Sequence, residues 1–185
     1  MKITAALAIT IALAGSAHAT GKIRVCVNSE TYVPFQVLAR AEGLSSRMFA
    51  TAGVSLDWHS AGSAACRSSE GIRAVTLDFS IDTKPAQYPE AMAYALPYRG
   101  SRIVVLFDRI ERSRAPGQIS TVLAHVMTHE ITHVLEGIAR HSQNGIMKAH
   151  WDDRDFTQMG YRPLPFAPED IDLIQLGLRL HFAVD

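Results

Sequence analysis

The longest helical pattern in this sequence, residues 118–137, carries three histidines at intervals of four positions, His125, His129 and His133. Apolar residues recur through it at helical spacing, and it ends at a glycine, Gly137, as helices commonly do. Its centre reads His129-Glu130-Ile131-Thr132-His133. Residues four apart lie one turn apart on the same helical face, so both imidazoles can bind one ion while Glu130 reaches a water on that ion. The pattern predicts a helical zinc site with Glu130 as the general base.

A catalytic zinc ion needs three protein ligands and an open position for water, so a third side chain is required. His141 follows His133 by eight residues, beyond the end of the helical pattern, where the chain can return to the ion from another direction. We therefore predict His141 as the third ligand. Three alternatives stay open. For Glu136 we favour a role beside the ligands or in solvent. For His125 we favour a position on the helix face with a carboxylate partner. His150 is a rival for the third ligand position.

The N-terminal residues, 1–19, have the organisation of a secretory signal peptide. Lys2 precedes an apolar run that is too short to span a bilayer, and Ala17 and Ala19 are the small residues that a signal peptidase needs. We predict cleavage after Ala19 and a single catalytic domain over residues 20–185. No later apolar run is long enough to span a membrane. The mature protein is therefore predicted to be secreted or periplasmic.

Export gives the two cysteines a structural meaning, because disulfides persist in oxidising compartments. Cys26 and Cys66 are the only cysteines of the chain. A bridge between them would close a loop of about 40 residues. Two independent buried thiols are the alternative, and we predict the disulfide.

The composition limits the class of partner. The chain has 185 residues, 48% of them hydrophobic, with 18 basic and 18 acidic side chains. This length and apolar content fit one hydrophobic core and exclude disorder. A net charge of zero provides no field for a phosphate backbone, so we expect no nucleic-acid partner. We expect a monomer.

The remaining patterns predict an α+β domain. Apolar stretches with strand spacing occur at residues 22–27, 54–58, 72–79 and 102–107, with a short edge strand at 91–95. Helical spacing occurs at residues 34–53 and again after Pro168. Residues 60–71 are predicted as a loop that carries Cys66, and residues 138–167 as irregular.

The zinc motif and the residues after it resemble the metzincin metalloendopeptidases, most closely the matrixin and small bacterial types. The sequence continues from His133 to Gly137, then to His141-Ser142 and to Gly145-Ile146-Met147, which is similar to the extended motif and Met-turn of that family. The order of elements agrees over nearly all of the predicted mature chain. The family has two residues in the gap on each side of the glycine, whereas this chain has three in each.

The resemblance implies a zincin (metzincin-like) fold: a twisted mixed sheet with an antiparallel edge strand, an active-site helix and a C-terminal helix. It implies one zinc ion held by His129, His133 and His141, with Glu130 as base and Met147 packed beneath the metal.

The implied activity is that of a zinc metalloendopeptidase. The alternative function is a non-catalytic zinc-binding module that binds an envelope or extracellular partner. The family often places a tyrosine after the methionine of the Met-turn, whereas here Lys148 and Ala149 follow. His150 or another donor would have to replace that tyrosine. Trp151 is expected to be a pocket wall or a core residue.

Overall fold

Five strands form one mixed sheet that supports the rest of the molecule. They are β1 (Gly21–Ser29), β2 (Val54–Ser60), β3 (Ala74–Ser80), β4 (Ala93–Ala95) and β5 (Arg102–Leu106). Their order across the sheet is β2-β1-β3-β5-β4. The first four in this order run parallel, and β4 pairs antiparallel with β5 at one edge. The mixed sheet with an antiparallel edge strand is confirmed.

The computed structural model describes residues 21–29, 33–67, 74–80, 91–95 and 101–182. The predicted signal peptide and its cleavage site after Ala19 lie outside these residues. No helix within these ranges is both long and apolar enough to cross a membrane.

Six α-helices accompany the sheet in the described part of the chain. They are α1 (Phe35–Thr51), α2 (Ala64–Arg67), α3 (Phe107–Ser113), α4 (Ile119–Glu136), α5 (Asp153–Met159) and α6 (Pro168–Gly177). A short 3₁₀ turn, Pro116–Gln118, precedes α4, and a π-helical turn, Leu178–Phe182, follows α6. The predicted helices correspond to α1, α4 and α6.

Three short helices lie where the sequence predicted a loop, a strand end or irregular chain. α2 occupies part of the predicted loop, and α3 begins at Phe107, which was predicted to end a strand. α5 lies in the stretch predicted as irregular, and Asp152 and Asp155 form a capping box at its start. These helices have four to seven residues, too few to show a clear helical period.

The hydrophobic core lies on one face of the sheet. Successive side chains of a strand point to opposite faces. Ile23, Val25 and Val27 of β1 therefore share a face, and they belong to the same buried cluster as Leu123 and Met127 of α4. α4 thus lies within the core, which fixes the position of its histidines.

The opposite face of β1 carries polar side chains and a cysteine. Asn28 donates a hydrogen bond to Asp78 of β3 at 2.9 Å, and Arg102 of β5 forms an ion pair with the same carboxylate. Cys26 shares this face by alternation and forms a disulfide with Cys66 of α2. The bridge is therefore made on the face away from the core cluster.

Helix α6 crosses α4 with the two backbones in close contact. A Cβ atom on Gly177 would lie 1.8 Å from the carbonyl oxygen of Leu135, so only glycine fits at this crossing. Ile174, one turn earlier on α6, is fully buried in the same core. The contact fixes α6 against the end of the helix that carries the predicted metal ligands.

Candidate metal centre

Helix α4 carries two of the predicted metal ligands and the predicted base. His129, Glu130 and His133 are buried on this helix, each less than 10% exposed. The helix ends at Gly137, which has a left-handed φ of 69° and donates its N–H to the carbonyl oxygen of His133 at 3.0 Å. A left-handed residue at this position reverses the chain direction, as at many helix C-termini.

The chain that leaves α4 brings His141 back to the two helical histidines. The ring centroid of His141 lies 5.3 Å from that of His129 and 5.0 Å from that of His133. One ring nitrogen from each of the three residues lies within 4.8 Å of the other two. The structure therefore brings together the three histidines that the sequence analysis selected, and His141 is the exposed member.

The hydrogen bonds of the two helical histidines define which nitrogen of each ring carries the proton. Nδ1 of His129 lies 2.8 Å from the carbonyl oxygen of Ile146, and Nδ1 of His133 lies 3.2 Å from that of Ile138. A carbonyl oxygen only accepts, so both Nδ1 atoms must donate. In a neutral ring, Nε2 then presents a lone pair.

Burial keeps both rings neutral. Burial and, to a smaller extent, the neighbouring histidines lower the pKa of His129 to about 3 and that of His133 to about 4. Their Nε2 atoms nevertheless face each other at 3.1 Å. Two lone pairs at this distance repel, and neither atom has a proton to share. A cation between them removes the conflict.

The geometry fits a zinc ion. Two nitrogen ligands at the usual zinc distance in a tetrahedron are roughly 3.3 Å apart, close to the 3.1 Å between the two Nε2 atoms. Backbone carbonyls hold the distal nitrogens of both rings, which is how metal-binding histidines are commonly oriented. His129, His133 and His141 are thus the residues that could hold a metal.

Glu130 lies beside these histidines in an apolar setting. Burial raises the pKa of its carboxyl group to about 8, and an N–H from Ala95 opposes this rise by hydrogen bonding to the carboxylate. Ala95 is the last residue of edge strand β4. The edge strand and the candidate base are therefore in direct contact.

A tight turn supports His129 from below. It contains Gly145, Ile146 and Met147, the residues that the resemblance implies as a Met-turn, and the carbonyl of Ile146 accepts from His129. Met147 is fully buried, and its carbonyl accepts from Ser142 N–H at 2.7 Å. The turn thus connects the His129 ring to the residue that follows His141.

Two of the alternative ligands, His125 and His150, are not part of the three-histidine group. His125 is fully buried, receives the N–H of Leu164 on Nε2 at 3.1 Å, and uses Nδ1 to donate to the carbonyl of Thr121 at 2.7 Å. Its partners are backbone groups and not the expected carboxylate. His150 is exposed and lies outside the three-histidine group.

Trp151 packs its ring edge-on against the His129 ring, with centroids 5.6 Å apart. Its indole nitrogen is buried and has no hydrogen-bond partner among the described residues. The side chain packs against the hydrophobic core beside the histidines, which is one of the two positions that the sequence analysis expected.

A second buried polar group, which the sequence analysis did not identify, lies behind His141. Asp170 of α6 is fully buried and binds Arg140 and Ser142. The side chain of Glu136 is fully buried, so it does not extend into solvent as one alternative expected. Its Oε1 atom lies 3.9 Å from Nη1 of Arg140. Burial and the nearby Asp170 raise the pKa of Glu136 to about 7. In the sequence, Asp170 is recognisable only as an acidic residue in the first turn of a predicted helix.

No family model matches this sequence, and no curated protein matches it either. Among solved structures, the fold is similar to the crystal structure of archaemetzincin from Methanopyrus kandleri. The TM-score is 0.55, and the match covers 91% of this chain and 99% of that chain. This chain has a zincin-like fold. Since sequence identity is 16%, the likeness concerns the fold alone, and the chemistry of this zincin-like site rests on its own side chains.

Proposed function

We propose that this chain is a secreted zinc-dependent metalloendopeptidase. One observation carries the proposal. The Nε2 lone pairs of His129 and His133 face each other at 3.1 Å, and a ring nitrogen of His141 lies within 4.8 Å of a ring nitrogen of each. The zincin-like fold supports the same conclusion. We propose one zinc ion, with these three histidines as its ligands.

Glu130 is the proposed general base. When bound, zinc lowers the pKa of a water molecule and polarises a carbonyl group. The Glu130 carboxylate accepts a proton from the attacking water and passes it to the leaving amine. Without the metal, burial raises the pKa of this carboxyl group to about 8, and the positive charge of a bound zinc ion would favour the carboxylate form that the role requires.

The proposed substrate is an extended peptide that pairs with β4. In the described part of the chain, β4 pairs with β5 on one side only, so its other edge can accept a strand. The Ala95 contact with Glu130 brings that edge to the base. Backbone pairing gives affinity with little demand on the substrate sequence.

Export is supported by the disulfide between Cys26 and Cys66, because such bridges persist in oxidising compartments. The proposed mature chain is residues 20–185, a single catalytic domain that acts as a monomer. Met147 is proposed to pack beneath the metal as the methionine of a Met-turn.

The decisive experiment compares Glu130→Gln with the wild-type protein. Both are loaded with one equivalent of zinc and assayed on a quenched fluorescent peptide library, with and without a chelator. We expect the wild-type protein to cleave peptides, the chelator to abolish cleavage, and Glu130→Gln to lose at least about a hundredfold in kcat/KM while it still binds zinc. Glu169→Gln, the same change at an exposed position, is the matched control and should keep full activity.

Two results would count against this function. Full activity of Glu130→Gln would exclude Glu130 as the base. A wild-type protein that binds zinc but cleaves no peptide in the library would instead favour the non-catalytic zinc-binding module.

A further inference from the structure

The three histidines of the site are held in different ways. The rings of His129 and His133 each donate from Nδ1 to a backbone carbonyl. Within the described part of the chain, no hydrogen bond is made to the ring of His141, which is also the exposed member of the group. Its position must therefore be set by the chain on either side of it.

Both neighbours of His141 bind the same carboxylate. Arg140 donates from Nη1 to Oδ1 of Asp170 at 2.8 Å, and the hydroxyl of Ser142 donates to the same oxygen. Arg140 also donates from Nη2 to the Ser142 hydroxyl at 3.1 Å. The two residues that flank His141 are thus joined to each other and to one acceptor.

Asp170 is itself held rigidly. Its other oxygen, Oδ2, accepts from the backbone N–H of Ala167 at 3.0 Å in the first turn of α6, and its side chain is fully buried. Helix α6 is fixed against α4 by the close contact of Gly177 with Leu135. Asp170 therefore has a defined position relative to the helix that carries His129 and His133.

From this arrangement we infer that Asp170 is a positioning residue for His141, acting through Arg140 and Ser142, and that it determines the metal affinity of the site. The inference rests on the proposed function in one respect, namely that the three histidines bind zinc. Outer hydrogen bonds of this kind commonly change metal affinity by about 10- to 100-fold. His141 is not on the helix, so its ring does not share the support that α4 gives to His129 and His133.

The experiment measures the zinc affinity of the full chain by competition with chromophoric chelators of graded affinity. Asp170→Asn removes the charge but keeps the size of the side chain, and we expect it to weaken zinc binding about 10- to 100-fold. Asp172→Asn, the same change at an exposed position of the same helix, is the matched control and should bind zinc as the wild-type protein does.

A double-mutant cycle separates positioning from a general effect on folding. If Asp170 acts through His141, Asp170→Asn should have no further effect on zinc affinity once His141→Ala is present. If Asp170→Asn weakens zinc binding equally in both backgrounds, Asp170 acts elsewhere and the inference is wrong. The inference is also wrong if Asp170→Asn binds zinc with wild-type affinity.

Ser142→Ala provides a second test in case Asp170→Asn does not fold. It removes one of the two side chains that bind Asp170 and should weaken zinc binding about tenfold. Unchanged affinity would contradict the inference. A wild-type chain that takes up no zinc would overturn both proposals, whereas zinc binding without peptide cleavage would overturn only the endopeptidase and leave the Asp170 result readable.

Discussion

Gly145 lies so close to Pro165 that a Cβ atom on Gly145 would be 2.2 Å from the Pro165 carbonyl oxygen. The same oxygen accepts the N–H of Ile146 at 2.9 Å. Gly145 also has a φ of 80°, in the left-handed region that other residues rarely adopt. The turn beneath His129 is therefore built on a position that only glycine can occupy.

Gly145→Ala should destabilise the protein by at least about 2 kcal/mol, because it combines a strained φ with a backbone clash. It should also weaken zinc binding, since the next residue, Ile146, holds His129. Urea unfolding and chelator competition measure the two effects. Gly117→Ala is the control, because a Cβ there meets nothing within 4 Å, and it should change the unfolding free energy by less than about 0.5 kcal/mol.

Removal of the disulfide should destabilise the fold without changing the metal site. Cys26 and Cys66 are 40 residues apart, so the Cys26→Ala, Cys66→Ala double variant should lose about 4 kcal/mol in the chain-entropy model. Thermal unfolding of the oxidised protein and of the variant measures the loss. A thiol reagent is added to the exported wild-type protein, both folded and unfolded without a reductant. Detection of two free thiols in the protein would contradict the disulfide.

His125 should make the metal-free protein sensitive to acid. Burial lowers its pKa to about 4, so between its ordinary value of 6.5 and 4 the unfolded chain binds more protons than the folded one. The contribution of neutral His125 to the free energy of unfolding is fully present above pH 6.5 and is lost as the pH falls. The loss between pH 7 and pH 5 is about 2 kcal/mol.

The measurement compares urea unfolding of the wild-type protein and His125→Gln at the two pH values, with a chelator present. His125→Gln should be less stable at pH 7, because it loses two buried hydrogen bonds, but its loss on going to pH 5 should be smaller. An equal pH-dependent loss in both proteins would show that His125 does not bind the proton.

Glu136 should have the opposite dependence on pH. Burial, followed by the charge of Asp170, raises its pKa to about 7, so its favourable contribution is present below pH 4.5 and is lost as the pH rises through 7. In chelator, Glu136→Gln should be more stable than the wild-type protein at pH 8, by up to about 3 kcal/mol, and similar to it at pH 5. The exposed change Glu169→Gln should show no such pH dependence.

The sequence was most informative where chemistry and spacing are local. His129, Glu130 and His133 lie within one helical turn, so their shared position follows from the helix alone. The three long helices and the strands were also predictable, because apolar residues recur in them at the spacing of a helix or of a strand. His141 was predicted from its position beyond the end of the helix and was also implied by the resemblance of the residues around it, and the structure brings its ring to the other two.

Contacts between distant segments could not be predicted from spacing. Asp170 has the appearance of an ordinary acid at a helix start, and only the fold places it against Arg140 and Ser142. The partners of His125 are likewise backbone groups, of which Leu164 lies 39 residues away in sequence. The start of α5 was readable in principle, since Asp152 and Asp155 have the spacing of a capping box.

The hydrogen bond from Ala95 to Glu130 has a consequence for how the molecule is divided. The three histidines, the residues that hold them and Glu130 itself all lie between residues 129 and 170, in one continuous stretch of chain. Among the described residues, Ala95 lies before this stretch and donates a hydrogen bond to the Glu130 carboxylate. The stretch therefore contains the proposed reactive groups, and the part of the chain before it contributes the edge strand along which a substrate would lie. Changes in that earlier part can alter what is bound while the chemistry stays the same.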